Sequence, residues 1–246
     1  MIRRKDINNQ IMKRFFKRIL YFFLFLVVLG GVLYLIFNEP LPQGEEGPEA
    51  EALAQTMLRS LNHVNYEKTR FLEWDFNGLH AYKWDRQTHT ADVTWDDHRV
   101  ILHLKDYGSS KVYTEGAEVN TEEKYALINK AVNYFNNDSF WVVAPFKIYD
   151  KGVERRLVKT DKYGDALLVT YTTGGSTPGD SYLWFFDDKG YPIGFKMWVS
   201  IIPIGGLKAG WKQWKFTETA TNLPTGHKIL FFDLKLNNVK GYGIIE

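Results

Sequence analysis

The strongest constraint on this chain is an uninterrupted apolar run near its N-terminus. Residues 19–37 carry no charged side chain over nineteen positions. At about 1.5 Å of rise per residue, a helix of this length spans roughly 28 Å, which is close to the hydrocarbon thickness of a bilayer. Because the run has no polar face, it predicts a transmembrane helix rather than a buried helix of a soluble core.

The charges on either side of this run predict its orientation. Residues 1–18 carry seven Lys and Arg against Asp6 alone, a net charge of +6, whereas the rest of the chain carries 24 basic and 28 acidic residues, a net charge of −4. Basic flanks are retained on the cytoplasmic side. We therefore expect the inner (cytoplasmic) membrane, with a cytoplasmic N-terminus and a periplasmic, extracytoplasmic C-terminal domain. The alternative is a cleavable signal peptide, which typically has a shorter apolar region and a small-residue cleavage site.

Composition divides the chain into four predicted segments. Residues 1–18 form a basic cytoplasmic tail, 19–37 the transmembrane helix, 38–48 a solvated linker rich in Pro, Gly and Glu, and 49–246 the outer domain. About 200 residues suffice for one sizeable core. The chain has no cysteine, which rules out disulfides, thiolate metal sites, cysteine nucleophiles and lipidated cysteines.

Hydrophobic periodicity predicts two helices and a meander of strands in the outer domain. Apolar residues at helical spacing mark residues 49–64 and 121–136, with Asn120 and Glu123 resembling a capping box. Short turns between the strands favour antiparallel pairing. The eleven predicted strands are residues 72–76, 80–84, 93–95, 100–104, 111–114, 153–160, 166–173, 181–187, 193–201, 211–219 and 227–236.

Aromatic residues are the most informative part of the composition. All eight Trp lie in the outer domain, and residues 182–186 and 229–232 read as strands that are apolar on both faces. Such strands suggest a ligand-holding interior, and the alternative is a filled core with aromatic cross-strand pairs. The apolar, Gly- and Pro-containing run 201–210 predicts a loop. It is either a lid, a partner contact or a membrane-touching tip, or a turn whose Ile residues fold under.

No motif for catalysis or cofactor binding is present. The chain lacks G-x-S-x-G, phosphate-binding glycine loops and H-E-x-x-H, so we expect no enzyme activity, no cofactor and no metal site. The formal net charge of +2 is too balanced for a dominating basic face, so we expect no nucleic-acid partner. A hydrolase is the remaining alternative. It requires His80, His89 and His98 to converge with a carboxylate.

The order of elements resembles a known family. The chain has an N-terminal amphipathic helix, then a long antiparallel meander with a helical insertion midway. Two local stretches also match the family, DSFWVVAPFKI at residues 138–148 and DDKGYPI at residues 187–193. This pattern is similar to the bacterial lipoprotein-carrier superfamily with the LolA/LolB-like fold. The resemblance implies a curved half-barrel plugged by helices around a hydrophobic cavity. The chain departs from that family in its uncleaved anchor and its missing lipobox cysteine, which favours a stationary binder over a shuttle.

Together these observations predict an α+β fold, a curved antiparallel β half-barrel of about eleven strands with two or more helices, preceded by a single transmembrane helix. We expect a membrane-anchored, non-catalytic binding protein for a lipid, an acyl chain or another hydrophobic ligand. A second hypothesis is a tethered envelope scaffold that binds a protein partner through an aromatic surface. The predicted ligand-binding residues are Leu72, Trp74, Phe76, Trp95, Leu102, Trp141, Phe146, Phe195, Met197, Trp214 and Phe216.

Overall fold

The computed structural model describes residues 2–173 and 177–246, with side chains from residue 12 onward. It confirms the predicted α+β class. One large, curved antiparallel sheet carries helices on one face, which we call the inner face, and the sheet is not closed into a barrel. An apolar helix precedes this arrangement.

Four α-helices are present in the described residues. They are α1 (Ile2–Phe37), α2 (Pro48–Ser60), α3 (His63–Lys68) and α4 (Glu123–Val143). The segment predicted as one helix over residues 49–64 is divided, because Asn62 adopts a left-handed conformation with φ 56° between α2 and α3. As a result Met57 and Leu61 are buried, whereas Val64 is exposed.

The helix predicted over residues 121–136 is longer than its apolar stripe indicates. It begins at Glu123, continues to Val143, and has no side-chain hydrogen bond at its N-cap, so the predicted capping box is not formed. A short 3₁₀ turn, Ala144–Lys147, follows directly. Residues 138–143 of the run DSFWVVAPFKI therefore form the last part of α4, and residues 144–147 form the 3₁₀ turn.

Thirteen strands form the main sheet, and two form a small separate hairpin. The order in the sheet is β6-β5-β4-β3-β2-β1-β15-β14-β11-β10-β9-β8-β7, and β12 pairs only with β13. The strands are β1 (Thr69–Phe76), β2 (His80–Asp85), β3 (Thr90–Trp95), β4 (His98–His103), β5 (Lys111–Thr114), β6 (Ala117–Glu118), β7 (Val153–Thr160), β8 (Gly164–Tyr171), β9 (Ser181–Phe186), β10 (Pro192–Trp198), β11 (Leu207–Trp211), β12 (Trp214–Phe216), β13 (Asn222–Pro224), β14 (Gly226–Ile229) and β15 (Phe232–Ile244).

The strand predicted over residues 227–236 is a hairpin instead. Leu230 takes φ 53° and reverses the chain between β14 and β15, and Ile229 pairs with Phe232 across the turn. Leu230, Phe231 and Phe232 are consequently exposed rather than buried on two faces of a strand. Because no Gly, Asn or Pro marks this turn, local sequence gives no turn signal here.

The apolar character of β9 on both faces has a different cause. Tyr182 and Trp184 point into the main core on the inner face, whereas Leu183 and Phe185 belong to a small second cluster on the outer face. Tyr163 covers that outer cluster, with its ring centroid 4.1 Å from that of Phe185. The two-faced pattern therefore reflects one deep core and one shallow one.

The segment between α1 and α2, predicted as a solvated linker over residues 38–48, makes backbone hydrogen bonds to the domain. Glu45 and Leu157 exchange backbone hydrogen bonds of 2.9 and 2.8 Å, and the Glu39 N–H donates to the Gly205 carbonyl over 3.0 Å. At Gly44 an added Cβ would lie 2.7 Å from Arg156 Cβ, so only glycine fits this close approach. The chain leaving α1 is thus fixed against the sheet.

Candidate functional site

Aromatic side chains on the inner face form the main candidate site. In the N-terminal half of the sheet, the ring centroids of Trp74 and Tyr82 lie 4.6 Å apart. In the C-terminal half, Trp184 lies 5.0 Å from Phe195 and 5.4 Å from Trp211. We call this set, together with Trp84, Trp95 and His227, the interior aromatic array.

Ten of the eleven predicted ligand-binding residues pack in or against the main core. Seven are buried: Leu72, Trp74, Trp95, Leu102, Phe146, Phe195 and Met197. Three are partly buried against it: Phe76, Trp141 and Trp214. Phe216 does not belong to the interior, because β12 pairs only with β13 outside the main sheet and leaves this side chain 64% exposed.

Sequence reasoning missed several members of the array. Trp184 pairs in register with Phe195, and Trp211 pairs with His227, so each missed residue lies directly across from a partner. The alternation of side chains along β9 could have identified Trp184, since it shares a strand face with Tyr182. The cross-strand partner, however, is fixed by the sheet order and not by the local sequence.

Helix α4 fills the space that was predicted as an apolar cavity. It packs against β3, β4 and β5, and the ring of Phe135 lies 5.3 Å from Trp84 and 6.2 Å from Trp74. Further along the helix, Trp141 lies 6.0 Å from Phe195. Two surface pockets among the described residues lie elsewhere. One, of about 420 Å³, lies beside Asn38, and one, of about 210 Å³, lies beside Arg59.

A buried polar cluster joins α4 to the sheet, and we call it the Asp138 latch. Asp138 is 1% exposed. Its Oδ2 lies 2.7 Å from His80 Nδ1 and accepts a 2.5 Å hydrogen bond from the Tyr82 hydroxyl. Asn137 Nδ2 donates to its Oδ1 over 2.8 Å. Burial, aided by Asp138, raises the pKa of Tyr82, so the phenol remains a donor.

The interior aromatic array also contains polar atoms without partners. Five buried indole nitrogens have no hydrogen-bond acceptor among the described residues. An unpaired buried donor costs about 1–3 kcal/mol. The interior is therefore lined by apolar rings but contains N–H groups whose hydrogen bonds are not made. The nitrogens are Nε1 of Trp74, Trp84, Trp95, Trp184 and Trp211.

His227 contributes an unpaired acceptor to the same region. Its Nε2–H donates to the Trp141 carbonyl on α4 over 2.7 Å, which leaves Nδ1 as the unprotonated ring nitrogen, buried and without a donor among the described residues. Burial lowers the pKa of His227 to about 4, so the ring is neutral at neutral pH. The C-terminal part of α4 is therefore tied to β14 by a neutral histidine.

Stability should depend on pH through His227. Its pKa is about 4 when folded and about 6.5 when unfolded. Because the unfolded state binds the extra proton, the free energy of unfolding falls as pH drops from about 6.5 to 4, by about 3 kcal/mol in total. Urea unfolding of the wild type and of His227→Gln at pH 8, 7, 5.5 and 4 checks this. The stability difference between the two proteins should be the same at pH 8 and 7 and should change at pH 5.5 and 4, and an equal difference at all four pH values would contradict the prediction.

The histidines of the hydrolase alternative do not converge. His80 belongs to the Asp138 latch, His98 bonds Thr114 and lies 3.4 Å from Asp97, and His89 sits in a turn with φ 55°. Within residues 2–173 and 177–246, no group of three His, Asp or Glu side chains is placed to hold a metal ion.

Outside the sheet, α1 is the other functional element. Residues Met12–Phe37 form a helix that is long and apolar enough to cross a membrane, and none of its span is buried against the domain. A membrane anchor and a signal sequence both have this appearance. The helix ends at Phe37, directly before the chain that binds Gly205.

The comparisons with known proteins find similarity among solved structures. No family model and no curated protein matches the sequence. Among solved structures, the chain is similar to a DUF1329 family protein from Desulfovibrio piger, with 8% sequence identity and a TM-score of 0.41. The match covers 78% of this chain and 92% of that one.

Proposed function

We propose that this chain is a membrane-anchored, non-catalytic binding protein that holds a lipid, an acyl chain or another hydrophobic ligand on the inner face of its sheet. The proposal includes an inner-membrane anchor with a cytoplasmic N-terminus. One observation carries it, namely that an aromatic interior with unpaired indole donors lies beneath a helix joined to the sheet through the Asp138 latch. The resemblance to the LolA/LolB-like fold points in the same direction.

The energetics favour a ligand with an acyl chain and oxygen acceptors. Each buried methylene contributes about 0.8 kcal/mol, so an acyl chain replaces the packing of α4 without specific polar contacts. Carboxylate or ester oxygens would in addition accept hydrogen bonds from indole nitrogens that have no partner in the closed state. In this proposal α4 is a plug that the ligand displaces.

Photolabelling tests the proposal directly. The full chain in lipid nanodiscs is incubated with palmitic acid that carries a diazirine, irradiated and digested, and the labelled peptides are identified by mass spectrometry. We expect adducts on β9, β10 and β11 around Trp184, Phe195 and Trp211, because these strands line the aromatic interior. Excess unlabelled palmitic acid should remove them.

Labels confined to α1 would contradict the proposal, since they would report only the lipid around the membrane span. A matched control is Asp138→Asn, which weakens the latch while keeping the side-chain shape. It should increase interior labelling severalfold and leave the labelling of α1 unchanged.

A tethered scaffold for a protein partner is the second candidate. The filled interior favours this candidate, because α4 occupies the inner face of the sheet and only the outer surface of the domain is available for binding. Interior labelling by the photoreactive acid separates the two candidates, since a scaffold has no reason to admit it.

A further inference from the structure

Several exposed apolar side chains of the outer domain gather at one end of the sheet. We call them the apolar rim: Leu79, Ile201, Leu230, Phe231 and Phe232, which are 64, 71, 59, 78 and 63% exposed. Four of them belong to three separate connections, the β1–β2 turn, the β10–β11 loop and the β14–β15 turn, and Phe232 is the first residue of β15. Scattered single apolar residues are ordinary on a protein surface, but a group from three connections at one edge is not.

The strand register places these three connections together. Met197 pairs with Leu207 next to the β10–β11 loop, and Ala209 pairs with Ile229 next to the β14–β15 turn. Asn77 of the β1–β2 turn accepts from and donates to Lys235, near the start of β15. With strands about 4.8 Å apart, the whole rim lies within roughly 25 Å.

Helix α1 leaves the domain at this same edge. Gly205 of the β10–β11 loop donates to Asn38 Oδ1 over 2.9 Å, and Trp198 Nε1 donates to the Glu39 carbonyl over 2.7 Å. Lys196 adds an ion pair with Glu39. Helix α1 itself is not buried against the domain, and its last residue, Phe37, directly precedes Asn38, which is bound by the loop that carries Ile201.

We infer that the apolar rim rests in the boundary between headgroups and acyl chains of the bilayer that α1 crosses. The inference builds on the membrane anchoring in the proposed function. The apolar rim continues the apolar surface of α1 along the adjoining edge of the sheet. Apolar side chains that insert about 5–10 Å at such an interface bind in proportion to the apolar area they bury.

The charged residues around the apolar rim are compatible with a bilayer surface and mark where the rim ends. Lys228 and Lys235 flank the β14–β15 turn, while Asp233 is neutralised by Lys212 at 2.6 Å. Cations at this position suit anionic headgroups. The next turn along the same edge, between β3 and β4, carries Asp96 and Asp97, so the apolar rim ends at the β1–β2 turn.

Spin labelling of the full chain tests the inference, and the absence of cysteine makes single labels unambiguous. Ile201→Cys and Phe231→Cys are labelled and reconstituted in phosphatidylethanolamine–phosphatidylglycerol vesicles. We expect a severalfold higher ratio of oxygen to nickel-chelate accessibility at both positions than at Ile244→Cys. Ile244 is a matched control, because it is also exposed but lies at the opposite end of β15.

A fourth label, Phe22→Cys in α1, separates failure of this inference from failure of the anchor. Labels at positions 201 and 231 that are exposed to water, together with a label at position 22 that is buried in lipid, would overturn the inference about the apolar rim. The rim would then be a candidate surface for a protein partner. An aqueous label at 22 would overturn the anchoring itself. Chemical unfolding of each labelled variant confirms that the folded domain is being measured.

Discussion

Replacing Asp138 by alanine is expected to lower the free energy of unfolding by about 3–5 kcal/mol, because it leaves the buried Tyr82 hydroxyl and the partly buried His80 ring without their shared acceptor. His80 Nδ1 and the Tyr82 hydroxyl both contact Oδ2 of this residue. The carboxyl group is almost fully buried, so water does not replace it. Urea unfolding of the full chain in detergent, followed by tryptophan fluorescence, measures the loss.

Asp92→Ala is the matched control for this prediction. Asp92 also pairs through its Oδ2, at 2.5 Å from Arg99 Nη2, but both side chains reach solvent. An exposed pair contributes about 0–1 kcal/mol, so the two alanine variants should differ clearly. Equal losses would show that Asp138 does not hold α4 through buried hydrogen bonds.

Trp184→Ala is expected to destabilise the fold by about 3–5 kcal/mol through the cavity that it leaves. The side chain is fully buried and lies at the centre of the C-terminal half of the array, 5.0 Å from Phe195 and 5.4 Å from Trp211. Urea unfolding at pH 7 is the measurement. Phe216→Ala, at an exposed ring on β12, should change stability by no more than about 0.5 kcal/mol.

Trp184→Phe tests the unpaired donor at the same position. It retains one ring and removes the Nε1–H that has no acceptor among the described residues. Because that donor is costly when buried, the phenylalanine variant should lose far less stability than the alanine variant. A loss equal to that of Trp184→Ala would contradict this prediction.

Much of the N-terminal half of the sheet follows from the sequence. Leu72 and Trp74 on β1 face Trp84 and Tyr82 on β2, as strict alternation around the Asn77–Gly78 turn predicts. Both turn residues, Asn77 and Gly78, have the positive φ values that Asn and Gly readily adopt in hairpin turns. Alternation is informative here because one face is buried and the other is not, so the register is set by the hydrophobic pattern itself.

The centre of the candidate site was less accessible to sequence reasoning. His80 and Asp138 are 58 positions apart, and no local pattern relates a strand residue to a helix residue at that distance. The 3.6-residue periodicity of α4 identifies its apolar stripe but not the surface that the stripe covers. The filling of the interior therefore emerges only when α4 and the sheet are seen together.

The segment after α1 bears on where the domain would work if α1 crosses the bilayer as proposed. A free chain of residues 38–48 would then let the sheet lie up to about 35 Å from the bilayer. The backbone hydrogen bonds at Glu39 and Glu45 instead hold this segment against the sheet. In the proposed function, a molecule that delivers or receives the ligand would therefore have to approach the membrane surface.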